Sequence, residues 1–253
     1  MDDLSLLIDL HADGPRQGPG SDETTRQAIT LAGLHEATGL RIADIGCGTG
    51  ASTLVLAQEL DAHVTAIDLA PAFLSRLDDS SHARGLADRV DTQAASMDDL
   101  SFDDQSLDAI WSEGAIYSMG FEEGVRAWRR FLKPGGILAV SDLTWFTQRR
   151  PRQLDDHWSA EYPAVATASA KMAVLEATGY TPIGYFTLPE ACWLEGYYRP
   201  LQDRFAAFLD RHDHSAAANQ LIKTEQEEIA LYERFSNFVG YGFYVARRND
   251  QRP

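Results

Sequence analysis

Three alternating glycines stand where an apolar segment of the chain gives way to a segment with a helical pattern. Residues 42–45 lead into Gly46, Gly48 and Gly50, and the helical pattern begins at Ala51. Glycine suits such a loop because a side chain would keep a ligand away from the backbone, and because the turn can require positive φ angles. Free amides at the start of the following helix favour an anionic or polar ligand group. The spacing therefore predicts a ligand-binding loop.

A carboxylate follows at the place expected for a second ligand contact. Asp68 ends the next apolar segment, 18 residues after Gly50. An acidic side chain at that strand end can accept both hydroxyls of a ribose. The spacing Gly46-x-Gly48-x-x-Ala51 also satisfies the relaxed dinucleotide fingerprint, so an NAD(P)-dependent oxidoreductase is an alternative. That alternative needs a hydride-handling pair such as Tyr-x-x-x-Lys on a helix, and no such pair is evident in the sequence.

Alternating strand and helix patterns position these residues. The pattern predicts a helix capped by Ser21 that ends near Gly39, and further helices over 51–60, after Pro71, and over 124–132. Five strands are predicted over 40–45, 63–67, 89–94, 107–111 and 136–141. Strands that alternate with helices form right-handed crossovers, which indicates a parallel sheet covered on both faces.

The regular alternation of strand and helix patterns ends at Asp142. A helix is predicted over 167–178, a strand over 180–188, a mostly helical stretch over 190–234 and a last strand over 240–247. The two late strands are expected to form an antiparallel edge of the same sheet, with the helical stretch as an insertion over the rim. The whole chain, 1–253, is predicted as one domain: residues 1–38 form an arm and a helix, 39–142 a ligand-binding core, and 143–253 a lid, the helical insertion and the last two strands.

Two motifs together give the chain a family resemblance. The Asp44-x-Gly46-x-Gly48-x-Gly50 form and the segment 132–136 (LKPGG) before the fifth strand together resemble class I S-adenosylmethionine-dependent methyltransferases, from about residue 40 to 141. The segments 16–21, 111–117 and 189–193 resemble a bacterial small-molecule methyltransferase-like subgroup. The resemblance implies a Rossmann-like α/β fold, a doubly wound, mostly parallel seven-stranded sheet with an antiparallel edge strand. It also implies S-adenosyl-L-methionine as cofactor and a structural turn over 133–136.

The resemblance also assigns roles to single residues. It implies that the three glycines face the methionine part of the cofactor, while Asp44 positions its amino group. Asp68 would hold the ribose and Leu69 would lie against the adenine. The remaining cofactor contacts that it implies are Ser96, Met97 and Asp98 at the adenine edge, and Ser112 and Glu113 near the sulfonium and the methyl path. Many relatives carry Asp where Ser96 stands, and Asp98 is the alternative contact there.

Candidate catalytic residues follow at the strand ends. Glu113 is a candidate general base, and its alternative role is to accept hydrogen bonds from the N-terminal arm or the cofactor's ammonium. Tyr117, Asp142 and His157 are candidates to orient a substrate, or else structural residues. Arg16, in the Gly- and Pro-rich arm, is expected to pair with Glu113 or with the methionine carboxylate as the arm closes over the cofactor.

Aromatic side chains concentrate in the two segments expected over the rim: Trp145, Phe146, Trp193, Tyr197 and Tyr198. They could cage a cationic amine by cation–π attraction, which makes Trp145, His157, Trp193 and Tyr197 candidate substrate residues. The alternative is a hydrophobic lid that packs on itself.

Bulk properties limit the partners. The formal net charge of −16 argues against nucleic acid and anionic membranes, which leaves a small-molecule methyl acceptor. Two cysteines outside any CxxC pair, and no metal-ligand spacing, favour the cytoplasm and a metal-free site. The acidic start, Met1-Asp2-Asp3-Leu4, is unlike a signal peptide. A non-catalytic cofactor-binding protein and a possible homodimer stay open.

Overall fold

One sheet organises the chain, which the computed structural model describes over residues 3–249. Residues 1–2 and 250–253, at the two ends of the predicted domain, lie outside the described residues, as does the Met1-Asp2 part of the acidic start. The strands are β1 (Leu40–Ile45), β2 (Ala62–Asp68), β3 (Val90–Ala94), β4 (Leu107–Glu113), β5 (Leu132–Trp145), β6 (Ala166–Thr167), β7 (Tyr180–Thr187) and β8 (Val239–Arg248). Their order is β3-β2-β1-β4-β5-β8-β7, and the two-residue β6 pairs with β5 off this path.

The first five strands form the parallel part of the sheet. β1 pairs with β2 on one side and with β4 on the other, and β8 runs antiparallel to both β5 and β7. The predicted class, a mostly parallel seven-stranded sheet with an antiparallel edge, is confirmed. The chain runs outward from β1 through β2 to β3, and then crosses back to place β4 on the other side of β1, so the strand order reverses between β1 and β4. A doubly wound sheet binds its ligands at such a switch point, outside the carboxyl ends of the strands.

Strand β5 differs from its predicted bounds. It begins at Leu132, four residues before the expected Gly136, so the segment 133–136 that was predicted as a turn belongs to the strand. Leu132 pairs with Leu107. A register shift follows this pair, and regular pairing resumes where Ile137 pairs with Ala109. The Lys133 ammonium donates to both Asp108 oxygens, which holds the extra segment on β4.

Helices cover both faces of the sheet. They are α1 (Asp3–Ala12), α2 (Asp22–Ala32), α3 (Ala51–Glu59), α4 (Pro71–Ala83), α5 (Phe121–Trp128), α6 (Arg152–Glu161), α7 (Ala168–Ala177), α8 (Glu190–Trp193), α9 (Arg199–Gln202), α10 (Phe205–Arg211) and α11 (Ala216–Phe235). A π-helical turn over Leu194–Tyr198 joins α8 to α9, and short 3-10 turns occupy Ala87–Arg89, Ile116–Ser118 and Arg129–Phe131. The predicted helical stretch 190–234 is therefore an insertion of several short helices and one long one.

Two helix ends correct the sequence-based expectations. Ser21 caps α2 through a reciprocal bond with Thr24, as predicted, but the helix ends at Ala32 rather than near Gly39. Gly33 takes the left-handed conformation there (φ 68°) and donates to the last helical carbonyls, a common helix ending that glycine permits. α5 begins at Phe121 and ends at Trp128, earlier at both ends than the predicted 124–132.

The core lies on both faces of the sheet, as a parallel sheet with two covered faces requires. Ile42 of β1 belongs to a cluster with α2, α3 and α11, while Ala43 and Ile45 belong to a second cluster with α5 and α7. Within residues 3–249, no helix has the length and apolar character needed to cross a membrane.

Candidate functional site

A cavity of about 360 Å³ opens at the carboxyl ends of β1 to β4, beneath the segment that joins α1 to α2. Its volume falls within the range of small-molecule sites. Nine of the residues predicted from the sequence line this cavity: Gly46, Gly48, Asp68, Leu69, Ser96, Met97, Asp98, Glu113 and Tyr117. The predicted loop, the strand-end carboxylate and the segment after β3 therefore meet in one place, at the switch point of the sheet.

The glycine loop is packed tightly on three sides. A Cβ at Gly46 would lie 2.3 Å from the Ala115 Cβ, and a Cβ at Gly48 would lie 2.3 Å from the Gln17 Oε1. Gly48 also has a positive φ of 56°, which disfavours any residue with a side chain. Gly50 instead faces α4, where a Cβ would lie 2.2 Å from the Leu77 Cδ1, and it does not line the cavity.

Asp68 fixes the loop and faces the cavity. Its Oδ2 accepts a hydrogen bond from the Gly48 amide at 2.9 Å, and its Oδ1 accepts one from the Ala70 amide at 2.9 Å. Desolvation raises the pKa of Asp68, while the backbone amides, Ala70 first, counteract the rise. The next residue, Leu69, lies on the cavity wall with 64% of its side chain exposed. This exposed apolar surface next to a carboxylate suits a nucleoside, with a flat base on the leucine and hydroxyls on the acid.

Asp44 lies beneath the loop and is fully buried. Its Oδ2 accepts from Ser52 at 2.7 Å and from Thr53 at 2.6 Å, while no donor among residues 3–249 reaches its Oδ1. Burial raises the pKa of Asp44 to about 7. The Ser112 hydroxyl is likewise buried without a partner in the described chain. Asp44 and Ser112 do not line the cavity, so neither makes its predicted cofactor contact directly at the cavity wall, although a buried carboxylate oxygen without a donor calls for a partner.

Glu113 is held from three directions. Its Oε1 accepts from the Thr25 hydroxyl at 2.7 Å and from the Trp111 indole at 2.9 Å, and its Oε2 accepts from Arg16 at 3.1 Å. The expected pairing of Arg16 with Glu113 is confirmed. Arg16 also donates to Asp22 at 3.1 Å.

Gln17 is a site residue that sequence reasoning missed. Its Oε1 accepts from the Thr49 amide at 2.7 Å and from the Thr49 hydroxyl at 3.0 Å, so the arm lies directly on the glycine loop. Gln17 lines the cavity together with Arg16, Gly18 and Pro19. It lies in the segment 16–21 that carries the family resemblance and in the arm expected to close over the cofactor, but it was not singled out as a contact residue.

The candidate substrate-orienting residues occupy different places. Tyr117 lines the cavity with half of its side chain exposed, its ring packs edge-to-face with Tyr162, and burial raises its pKa. Asp142 is 1% exposed, lies off the cavity wall, and accepts from Lys171 and from the Tyr162 hydroxyl. His157 also lies off the wall, and its ring packs edge-to-face with Trp158.

The structure does not bring the rim aromatic residues to the cavity. The Trp193 ring stacks on Tyr232 with centroids 4.3 Å apart, and Tyr197 packs on His11 and Tyr198. Trp145 is buried beneath the Arg150 guanidinium, which lies 4.0 Å from its ring centroid. These rings pack on one another and on the insertion, as the lid alternative expects.

The amino-acid sequence is similar to those of known methyltransferases. A family model described as "Methyltransferase domain" matches residues 42–136. The 27-O-demethylrifamycin SV methyltransferase of Amycolatopsis mediterranei is 33% identical over 268 aligned positions, which cover 97% of this chain and 93% of that enzyme.

Solved structures share the whole fold. A SAM-dependent methyltransferase from Geobacter sulfurreducens, in complex with S-adenosyl-L-homocysteine, has a TM-score of 0.83 at 17% identity, covering 96% of this chain and 97% of that one. The cyclase SpnF has a TM-score of 0.76 at 22% identity, covering 97% of this chain and 92% of that one. At these identities the likeness shows the fold.

Proposed function

Because the chain belongs to the class I S-adenosylmethionine-dependent methyltransferases, we propose that it moves the cofactor's methyl group to a hydroxyl oxygen of a small organic molecule. The proposal of a hydroxyl acceptor rests on the similarity to the Amycolatopsis enzyme. The name of that enzyme states an O-methylation, and its sequence matches this chain over nearly its whole length. The chain is accordingly an enzyme, and the oxidoreductase and non-catalytic alternatives are set aside.

The residues of the cavity support S-adenosyl-L-methionine as the cofactor. Asp68 would accept the ribose hydroxyls, and Leu69 would lie against the adenine. Ser96, Met97 and Asp98 line the same end of the cavity and would border the adenine edge. Asp44 is buried off the cavity wall, and we propose that its unpartnered Oδ1 is uncovered when the cofactor binds and receives the ammonium group of the methionine part. When bound, the cofactor supplies an electrophilic methyl group, and the chain's own residues bind and orient the reactants.

The acceptor would approach from the turn after β4. Gly114, Ala115, Tyr117, Ser118 and Met119 form that part of the cavity wall. Methyl transfer is an in-line displacement, so rate depends on aligning the acceptor oxygen and excluding water. The Tyr117 hydroxyl is neutral at pH 7, as an ordinary tyrosine is, and its position on the cavity wall allows it to hydrogen-bond the acceptor. We assign to Tyr117 the role of orienting the acceptor hydroxyl.

Glu113 is poorly suited to act as the proton acceptor. Three donors already occupy its two oxygens, and one of them is the charged Arg16. A general base must be free to reach the proton that it removes. Of the two roles predicted for Glu113, the geometry favours the acceptance of hydrogen bonds from the arm.

The surroundings of the acceptor favour a neutral molecule over an anionic one. The formal net charge is −16, and Arg16, an arginine on the cavity wall, is neutralised by Glu113 and Asp22. An anionic acceptor would therefore be repelled, whereas a neutral alcohol or phenol would not. A cytoplasmic location is part of the proposal, supported by two free, buried cysteine thiols.

A labelled methyl-transfer assay tests the proposal. The protein is incubated with methyl-labelled S-adenosylmethionine and a panel of phenols, alcohols, amines, thiols and carboxylic acids, and products are identified by mass spectrometry. We expect label on oxygen, and a lower turnover with Tyr117→Phe at unchanged cofactor affinity. Label found only on nitrogen or sulfur would refute the hydroxyl acceptor, and label on carboxylates would refute the preference for neutral molecules.

A further inference from the structure

The arm, residues 13–20, is fastened across the cavity by the side chains of Gln17 and Arg16, and its first residue, Asp13, pairs with Arg76 of α4. The first fastening is Gln17, whose Oε1 accepts from the Thr49 amide of the glycine loop at 2.7 Å. Its Nε2 donates to the carbonyls of His11 and Gly14, at 3.2 Å each. One carboxamide therefore joins the end of α1, the turn of the arm and the glycine loop.

The second fastening is Arg16 at the opposite side of the cavity. Its guanidinium donates to Glu113 at the end of β4 and to Asp22 at the start of α2, with both nitrogen–oxygen distances at 3.1 Å. The side chains of Arg16 and Glu113 are only 11% and 7% exposed. Thr25 and Trp111 donate to the other Glu113 oxygen, so the carboxylate cannot turn away from the arm without breaking further bonds.

These fastenings place the arm between the cavity and solvent. Arg16, Gln17, Gly18 and Pro19 all line the cavity. A second hollow, of about 600 Å³, lies on the other side of the arm and shares Arg16 with the first. The arm is therefore a thin wall held at both ends. A wall without helix or strand, fastened by side-chain hydrogen bonds, opens locally more easily than the core does.

We propose that the arm is a gate for the cofactor and that Glu113 is a positioning residue, which acts through Arg16 to hold the gate closed. The proposal rests on the proposed function only in taking S-adenosylmethionine and its product S-adenosylhomocysteine as the ligands. Opening of the arm then limits the exchange of product for fresh cofactor. A partly buried pair is sensitive to the loss of one partner because the remaining charge is left without compensation.

The test compares the release rate of S-adenosylhomocysteine with the mobility of the arm. Release is measured by stopped-flow displacement with excess S-adenosylmethionine, and mobility by hydrogen exchange over residues 13–20 in the ligand-free protein. We expect Glu113→Gln and Gln17→Leu each to speed release by about tenfold, the effect of losing a charged or well-formed hydrogen bond, and to speed exchange in the arm.

Glu59→Gln is the matched control. It removes the carboxylate of the exposed Arg26–Glu59 pair, 2.9 Å apart, between α2 and α3 and outside the cavity wall. We expect both rates to stay at the wild-type values. Arg16→Lys keeps the positive charge but lacks the planar fork of the guanidinium, so we expect a smaller increase in release than with Arg16→Met.

A double-mutant cycle decides whether Glu113 acts through Arg16. If it does, the Arg16→Met/Glu113→Gln protein releases product no faster than the faster single variant. Additive increases in the release rate would refute the coupling between Glu113 and Arg16. Faster release without faster hydrogen exchange in the arm would show that the residue contacts the ligand directly, and would overturn the gate. Unchanged release in all variants would also overturn the gate. Failure of the wild-type protein to bind S-adenosylhomocysteine would instead refute the proposed function.

Discussion

The affinity for the cofactor should depend on pH through Asp44. Burial raises the pKa of this carboxyl from its usual 3.8 to about 7, and its Oδ1 has no donor among the described residues. A ligand ammonium that binds this oxygen requires the ionised form. At pH 5 only about 1% of a group with a pKa near 7 is ionised, whereas at pH 8 about 90% is ionised, so the apparent dissociation constant should be about 100-fold higher at pH 5.

Isothermal titration with S-adenosylhomocysteine across pH 5 to 8 measures this dependence. Affinity should rise with pH and flatten above about 7, and binding near pH 6 should release a proton, which buffers of different ionisation enthalpy reveal. The Asp44→Asn protein should bind S-adenosylhomocysteine more weakly at pH 8, and its affinity should depend much less on pH. The dependence that remains is attributed to Asp68, whose pKa is also raised. Asp104→Asn, which alters an exposed ion pair with Arg130, should keep the full dependence. An unchanged affinity from pH 5 to 8 would refute the assignment of Asp44 to the ammonium.

Three further predictions concern binding and stability. Asp68→Ala should raise the dissociation constant of S-adenosylhomocysteine by about 5- to 150-fold, as the loss of a charged hydrogen-bonded contact does, and equal affinity would remove Asp68 from the site. Gly50→Ala should lower the free energy of unfolding in urea by at least about 2 kcal/mol, because φ is 86° and the new Cβ would lie 2.2 Å from the Leu77 Cδ1. Gly33→Ala, at φ 68° with open space around it, should cost only about 1 kcal/mol, and equal losses would contradict the steric argument. Lys171→Met should destabilise the folded protein by about 3–5 kcal/mol because the Asp142 carboxylate stays buried without its ion-pair partner. Adding Asp142→Asn should recover much of this stability, and a further, additive loss in the double variant would contradict the pairing.

The sequence predicted the cofactor half of the fold because each local signal there has one physical meaning. The glycine loop, the strand-end Asp68 and Pro71 at a helix start each restrict the backbone strongly. The predicted bounds of β1, Leu40–Ile45, are those observed, β2 is one residue longer at each end than predicted, and α3 is one residue shorter at its end. Of the residues with the clearest sequence signals, Gly46, Gly48 and Asp68 line the cavity, whereas Asp44 and Gly50 do not.

Several elements outside the core were not predicted. Helix α1 carries Leu6 and Leu10 on its buried side, a helical spacing that was available in the sequence but was read as part of the arm. Helix α6 and the two-residue β6 are held by contacts distant in sequence, such as the Tyr162 hydroxyl on Asp142. Propensity cannot reveal an element whose stability comes from such tertiary contacts.

The aromatic residues and Asp142 show a second limit. Aromatic side chains near a strand end can form a ligand cage or a packed layer with the same composition, and only their positions distinguish the two. Trp193 stacks on Tyr232, a residue of the distant α11, and Asp142 pairs with Lys171, whose burial no local pattern indicates. The sequence located the cofactor cavity well, whereas the side chains that surround the acceptor depend on contacts across the insertion.

A parallel titration with S-adenosylhomocysteine and NADH tests the central claim, that the cavity between the glycine loop, Asp68 and the arm holds S-adenosylmethionine. We expect micromolar binding of S-adenosylhomocysteine, lost or strongly weakened in Asp68→Ala, and no binding of NADH. Binding of NADH alone, or binding of S-adenosylhomocysteine that Asp68→Ala leaves unchanged, would contradict it.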